Sequence, residues 1–221
     1  KFFIPRLFSL ELAKTLLKVG LPLVPVFISM WLLQSIGKII ISRELGLDYQ
    51  GIYSVGSRVA SISLIIQMAY LNGFSYFSFS TMNATDQIAN RTFLLRMLII
   101  FSFLFVLFIL LFRDLIFDSF FPKSYTQSKD VFTFIIFQPL FVIFYQTISN
   151  QFTIAKKTYI TPLILLIALL ITYFLVNGLI HQYSVIGAAF GTFIGYFSLS
   201  LLSYLIALVN SLLKYDKITT I

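Results

Sequence analysis

The chain has 221 residues, of which 59% are apolar and 11% charged, and Phe alone occurs 26 times. A water-soluble globule is excluded, because this much apolar surface does not fit inside one domain of this size. Disorder would need low hydrophobicity, and a disulfide scaffold would need cysteine, of which there is none. An all-α polytopic membrane protein remains.

The net charge of +8 is read as the basic flanks that set the topology of membrane spans, not as a nucleic-acid surface. A span needs about 20 apolar residues to cross about 30 Å of hydrocarbon, and lipid obliges each one to be a helix.

Taken in chain order, residues 1–18 come first. Leu7, Leu10, Lys14 and Leu17 recur at helical spacing there, with Glu11, Lys14 and Lys18 near one face. This predicts an amphipathic helix on the inner membrane surface; a plain helical linker is the alternative. The chain starts at Lys1 and shows no signal peptide, so it is expected to be the C-terminal part of a longer protein.

Six spans are then predicted, at 19–41, 51–80, 93–112, 131–153, 159–180 and 184–213, followed by a tail at 214–221. Arg43-Glu44-Leu45-Gly46-Leu47-Asp48 separates the first two, and Asn83-Ala84-Thr85-Asp86-Gln87 the next two. Residues 113–130 are read as the longest loop. Ala155-Lys156-Lys157-Thr158 and His181-Gln182-Tyr183 are tight turns.

Orientation follows from counting Lys and Arg on alternate sides. One side holds Lys1, Arg6, Lys14, Lys18, Arg91, Arg96, Lys156, Lys157, Lys214 and Lys217. The other holds Lys38, Arg43, Arg113, Lys123 and Lys129, and Arg58 is left inside a span. Both termini are therefore expected on the cytoplasmic side, with 113–130 outside.

Pro22 and Pro25 sit near the entry of the first span, and Pro162 in the first turn of the fifth, where a missing N–H costs little. Pro139 falls inside the fourth span and should kink it. Gln138, Gln146, Asn150 and Gln151 share that span. They either open onto a wet cavity or bond to neighbouring helices. Gly187, Gly191 and Gly195 stand four apart in the sixth span and predict close helix packing, with a hinge as the other reading.

Three basic residues lie within apolar stretches, where charge is costly. Arg96 is close enough to the inner end of its span to snorkel, and Lys38 lies near the outer end of the first span. Arg58 is on the order of 10 Å inside the second. These three are the candidates for binding an anionic group, with Lys38 and Arg58 facing one cavity. Every acid falls outside the apolar cores, so no buried carboxylate is offered for a proton or cation relay. His181 reads as a solvated turn residue. No metal site, cofactor site, catalytic set or phosphate-cradling Gly loop is legible. A basic cavity of this kind suits an anionic ligand that is moved, not cleaved.

Several segments resemble the polysaccharide flippases. Gly20-Leu21-Pro22-Leu23-Val24-Pro25 resembles the entry of their seventh span. Gly46-Leu47 followed by Gly51-Ile52-Tyr53-Ser54-Val55 resembles the next loop and span. Phe121-Pro122-Lys123-Ser124-Tyr125 resembles the outer loop before their tenth span, Ile154-Ala155-Lys156-Lys157-Thr158 the basic turn after it, and Ile186-Gly187-Ala188-Ala189 the start of their last span. The matches run in order over nearly the whole chain.

The resemblance implies an O-antigen (Wzx-type) flippase of the multidrug/oligosaccharidyl-lipid/polysaccharide exporter superfamily. Such proteins have two similar six-helix lobes around a cavity. They move undecaprenyl-pyrophosphate-linked sugars across the bacterial cytoplasmic membrane, by alternating access. This chain would be the C-terminal lobe, with residues 1–18 as the inter-lobe linker. Its partners would be the lipid-linked oligosaccharide, membrane lipid, the N-terminal lobe, and polymerase and glycosyltransferases of the same pathway. Many relatives carry an acid–base pair late in the first span, where this chain has Gly37-Lys38. Lys38 keeps the base, but the acid is missing. The competing readings are a cation-coupled drug antiporter, a membrane-embedded sugar polymerase and a structural six-helix subunit.

Overall fold

The computed structural model describes residues 9–11, 14, 17, 21, 24–80, 87–155 and 157–210. The predicted linker lies largely outside them, as do the loop around Asn83 and the tail at 214–221. Leu10, Glu11, Lys14 and Leu17 are helical and exposed.

Among the described residues the fold is all helical. The long elements are α1 (Val24–Glu44), α2 (Leu47–Ala60), α3 (Ile62–Ser80), α4 (Gln87–Leu111), α5 (Arg113–Phe120), α6 (Ser128–Ile135), α7 (Gln138–Ile154) and α8 (Ile160–Val209), with a 3-10 turn at Lys123–Tyr125 between α5 and α6. Four helical stretches are long and apolar enough to cross a membrane, or five if the bent pair α4–α5 counts as one. That count does not establish the six predicted spans. Large apolar side chains such as Phe27, Trp31, Ile65, Phe101, Leu163 and Phe174 stand exposed on the outside, as lipid-facing helices require.

Two of the predicted spans are interrupted, one at a position the sequence does not mark and one beside Pro139, where a kink was expected. The stretch 51–80 is two helices, parted at Ser61. The Ser61 N–H reaches the carbonyls of Ser57 (3.0 Å) and Arg58 (3.2 Å). Its hydroxyl also donates to the Arg58 carbonyl at 2.6 Å, and the Ser63 hydroxyl donates to that of Ala60 at 2.6 Å. Serine hydroxyls that bond back in this way bend helices. The stretch 131–153 is likewise parted, at Ile136–Phe137, with Pro139 in the first turn of α7. Pro139 has no N–H to give the Ile135 carbonyl, so the ladder cannot run through.

The segment 113–130 is not a loop. α4 turns by 47° into α5, and α5, the 3-10 turn and the start of α6 form an elbow. Its charges pair: Lys129 Nζ lies 2.6 Å from Asp118 and 3.4 Å from Asp114, and Arg113 lies 3.4 Å from Asp114. Phe117 turns inward and is buried, which holds the elbow on the bundle.

α8 holds the last two predicted spans as one 50-residue element. Straight, it would be about 75 Å long. Instead its two ends meet: Lys157 Nζ, just before it, donates to Asn210 Oδ1, just after it, at 2.7 Å. The reversal is at Ser184, the single residue with non-helical angles inside it (φ 53°, ψ −134°). The arms 160–183 and 185–209 run antiparallel, each about 36 Å long. The glycines make this possible. A β-carbon at Gly191 would stand 3.0 Å from the Val176 backbone nitrogen, while those at Gly187 and Gly195 would strike the Leu179 carbonyl oxygen and the Thr172 hydroxyl.

The core has two apolar clusters stacked along the helices. One, nearer the elbow, contains Ile40, Ile41, Tyr53, Phe132, Ile136, Val176 and Ala188. The other, nearer the Lys157–Asn210 clasp, contains Leu33, Val142, Tyr145, Ile148, Leu165, Ala168, Tyr196 and Leu199. Along one side of both, rings of α6 and α7 interleave with rings of α8. Phe134, Phe137 and Phe141 meet Phe193 with centroids 6.1, 5.5 and 5.5 Å away, a spacing that favours edge-to-face contact.

Candidate substrate-facing site

Between the two clusters lies a polar layer. On α1 it falls at Gly37, on α7 at Gln138, and on the two arms of α8 at Thr172 and Thr192. Tyr53 of α2 reaches it from the side. The Thr192 hydroxyl donates to the Ala189 carbonyl at 2.8 Å. It then accepts from Gln138 Nε2 at 3.3 Å and is paired with the Tyr53 hydroxyl at 3.4 Å. Gly37 is needed because a β-carbon there would lie 2.8 Å from that hydroxyl. Three helices are tied at one buried point, with each of these three side chains partnered.

Replacing Thr192 with valine keeps the shape and strands two polar groups. A loss of about 1–3 kcal/mol is expected, read as a lower unfolding midpoint in detergent. Tyr53→Phe combined with Thr192→Val should cost clearly less than the two singles added. Strict additivity would mean the groups do not act as a unit.

The basic residues flank this layer. Gly37 meets Tyr53 across the antiparallel pair α1–α2. Lys38 follows Gly37 on α1, and Arg58 stands five residues beyond Tyr53, in the last turn of α2. Lys38 is half-buried and Arg58 exposed. Arg58 is about 16 Å of helix from Leu47, well inside the apolar stretch Leu47–Phe74. Among the described residues no carboxylate pairs with either. Arg96 belongs to α4, and its side chain lies outside the described residues.

Of the candidate polar residues on the fourth span, Gln138 joins the layer, Pro139 is buried beside the break, and Gln146 and Asn150 are half-buried farther along α7. Gly187, Gly191 and Gly195 face the first arm of α8 and line no opening. At the elbow, Phe117, Asp118, Lys123, Tyr125 and Lys129 border a cleft of about 150 Å³, where Lys129 is already neutralised by Asp118.

The contact between α3 and α7 went unread in the sequence. Tyr70 of α3 faces Thr147 of α7 there, and the Thr147 hydroxyl donates to the Ile143 carbonyl at 2.7 Å, which leaves its oxygen able to accept. On the core side of α7, Tyr145 faces Ser149, which is paired with Thr161 at 3.2 Å. Nothing in the spacing of these residues signals which of them meet.

Residues 2–130, more than half of the chain, match the family described as polysaccharide biosynthesis protein. No curated protein and no solved structure matches. The matched part runs from the segment before α1 to the elbow and includes Lys38, Tyr53, Arg58 and the Ser61 break. Its helices have the length and apolarity of membrane spans, and the chain belongs to the polysaccharide biosynthesis protein family.

Proposed function

We propose that this chain is one lobe of a flippase for lipid-linked oligosaccharides. The observation that carries the reading is Arg58, a guanidinium at membrane depth with no carboxylate partner among the described residues, in a member of this family. A charge held there at a cost of about 2.5–3.5 kcal/mol marks a pathway. A guanidinium recognises phosphate oxygens in two-pronged fashion, so the pyrophosphate of an undecaprenyl-linked repeat unit is its natural counterpart. Lys38, on the neighbouring α1, adds a second positive charge.

The elbow faces outward in this reading and the Lys157–Asn210 clasp faces the cytoplasm, as the distribution of Lys and Arg implies. A second, N-terminal lobe completes the cavity, and the two lobes alternate in opening to either side. Glycosyltransferases supply the cargo inside and a polymerase takes it outside.

The test uses the protein carrying this chain, reconstituted in vesicles with undecaprenyl-pyrophosphate-linked repeat unit. Sugar appearing in the outer leaflet is measured with an added glycosidase. Transfer at least tenfold faster than in protein-free vesicles is expected. Transfer at the protein-free rate would overturn the reading.

A further inference from the structure

The segment Phe121-Pro122-Lys123-Ser124-Tyr125 has no task in the reading built on Arg58 and Lys38. Four of its residues line the cleft at the elbow, together with Phe117 and Asp118 of α5, Thr126, and Lys129 of α6. Tight contacts build this cleft. Lys129, its side chain only 15% exposed, holds Asp118 at 2.6 Å and Asp114 at 3.4 Å, which ties α6 to α5. Between the two helices the Tyr125 N–H donates to the Pro122 carbonyl at 2.9 Å, and the Thr126 hydroxyl to the Lys123 carbonyl at 2.6 Å. The Phe117 ring is buried, 5.2 Å from Phe121 and 5.5 Å from Phe132. An aromatic base anchored in the core is thus joined to a set of fixed polar groups.

We infer that the elbow cleft binds one uncharged sugar ring. Asp118 is fixed by Lys129 yet 68% exposed, and it accepts. Lys123 is exposed, has no ion pair among the described residues, and donates. The Tyr125 phenol does both, and the Thr126 oxygen keeps the capacity to accept. Sugar hydroxyls donate and accept, so they suit this mixed set, and the C–H face of a pyranose suits the half-buried rings of Phe121 and Tyr125. A phosphate only accepts. It would meet the Asp118 carboxylate, while the charge of Lys129 is already taken by two aspartates. A metal ion would meet two ammonium groups. The volume of about 150 Å³ is below the roughly 300–1,000 Å³ of a site for a drug-sized ligand, so it takes one ring and not a chain of them. With the elbow facing outward, the ring belongs to sugar that has crossed the membrane. That origin rests on the flippase reading; the chemistry of the cleft does not.

The chain has no cysteine, so a thiol placed at the cleft reports its occupancy. Thr126→Cys puts one on the lining, and Ser124→Cys puts one on the same exposed turn but off the lining. The full-length protein is labelled in nanodiscs with a membrane-impermeant methanethiosulfonate, with the unsubstituted protein as background. The probes are glucose, galactose, mannose, rhamnose and N-acetylglucosamine at millimolar concentration, with sorbitol and inorganic phosphate as controls. At least one sugar is expected to slow labelling of the Thr126→Cys variant at least fivefold and to leave the Ser124→Cys variant unchanged. Adding Asp118→Asn removes a charged acceptor, and protection should then need about tenfold more sugar.

Protection by none of the sugars, equal protection by sorbitol or phosphate, equal slowing at the Ser124→Cys variant, or protection unchanged by Asp118→Asn would each overturn the inference. Protection in a protein that fails to translocate lipid-linked sugar would leave the cleft standing and remove the flippase reading, and translocation without protection would do the reverse. If Thr126→Cys does not fold, saturation-transfer NMR with the same sugars on the unsubstituted protein and on Asp118→Asn reads the same contact.

Discussion

Arg58→Ala is expected to lower surface polysaccharide at least tenfold while the protein stays inserted at wild-type level. Two readings of Arg58 make opposite statements about stability. As a structural residue it sits in the last turn of α2, where a cation gains about 0.3–1 kcal/mol from the helix dipole. Holding its charge at membrane depth costs about 2.5–3.5 kcal/mol. The cost is larger, so removing the charge should leave folding unchanged or improved. A variant that is as stable as the parent and exports nothing identifies a group kept for the cargo.

Arg58→Lys keeps the charge without the planar fork and should fall between the two. Arg43→Ala is the control, since Arg43 is exposed and only loosely paired with Glu44 at 3.5 Å. Membrane-fraction immunoblotting and surface-glycan quantification on the same cells separate insertion from export. Normal glycan with inserted Arg58→Ala protein would remove this residue from the mechanism.

The second large effect is on the α8 hairpin. Gly187→Ala should destabilise most, because the new methyl meets the Leu179 carbonyl oxygen, and backbone cannot rotate away. Overpacking of this kind costs about 1–3 kcal/mol, occasionally more. Gly195→Ala meets the Thr172 side chain instead. Thr172→Ala should recover part of that loss. Residue 172 keeps its β-carbon 2.8 Å from the new one, so recovery is incomplete.

Gly178 lies in the same helix with open space around its β-position. Gly178→Ala should therefore be neutral or stabilising by about 0.5–1 kcal/mol. The order is read from unfolding midpoints in detergent. Equal losses at 178 and 187 would mean that the arms are not packed as described.

What was legible in the sequence follows from what each residue reveals by itself. Apolar stretches announce helices because lipid leaves the backbone no other choice. Pro139 announces an interrupted helix because its missing N–H is a local fact. Ser61 interrupts a helix equally well, yet a serine hydroxyl that bonds backward looks like any other serine.

The elbow was hidden for a different reason. Arg113, Asp114, Asp118 and Lys129 give 113–130 the composition of a loop, and α5 is an 8-residue helix, too short for a span-sized window. Ser184 carries the reversal of α8 without glycine or proline to mark it. The site was less legible still. Arg58 stood out by its charge, but its place relative to Lys38 depends on how α1 meets α2. The Tyr53–Thr192 pairing joins positions 139 residues apart, and nothing in a single sequence links them.

The one-residue reversal at Ser184 also limits how the two arms can part. A single extended residue spans at most about 3.6 Å, so the arm ends beside Ser184 stay neighbours unless a turn of helix unwinds there. A motion that slides one arm past the other would have to break backbone hydrogen bonds near Ser184, or drive the Leu179 carbonyl and the Thr172 side chain off Gly187 and Gly195. The α8 hairpin therefore moves as one stiff unit, and any change of shape in this bundle falls between it and the other helices.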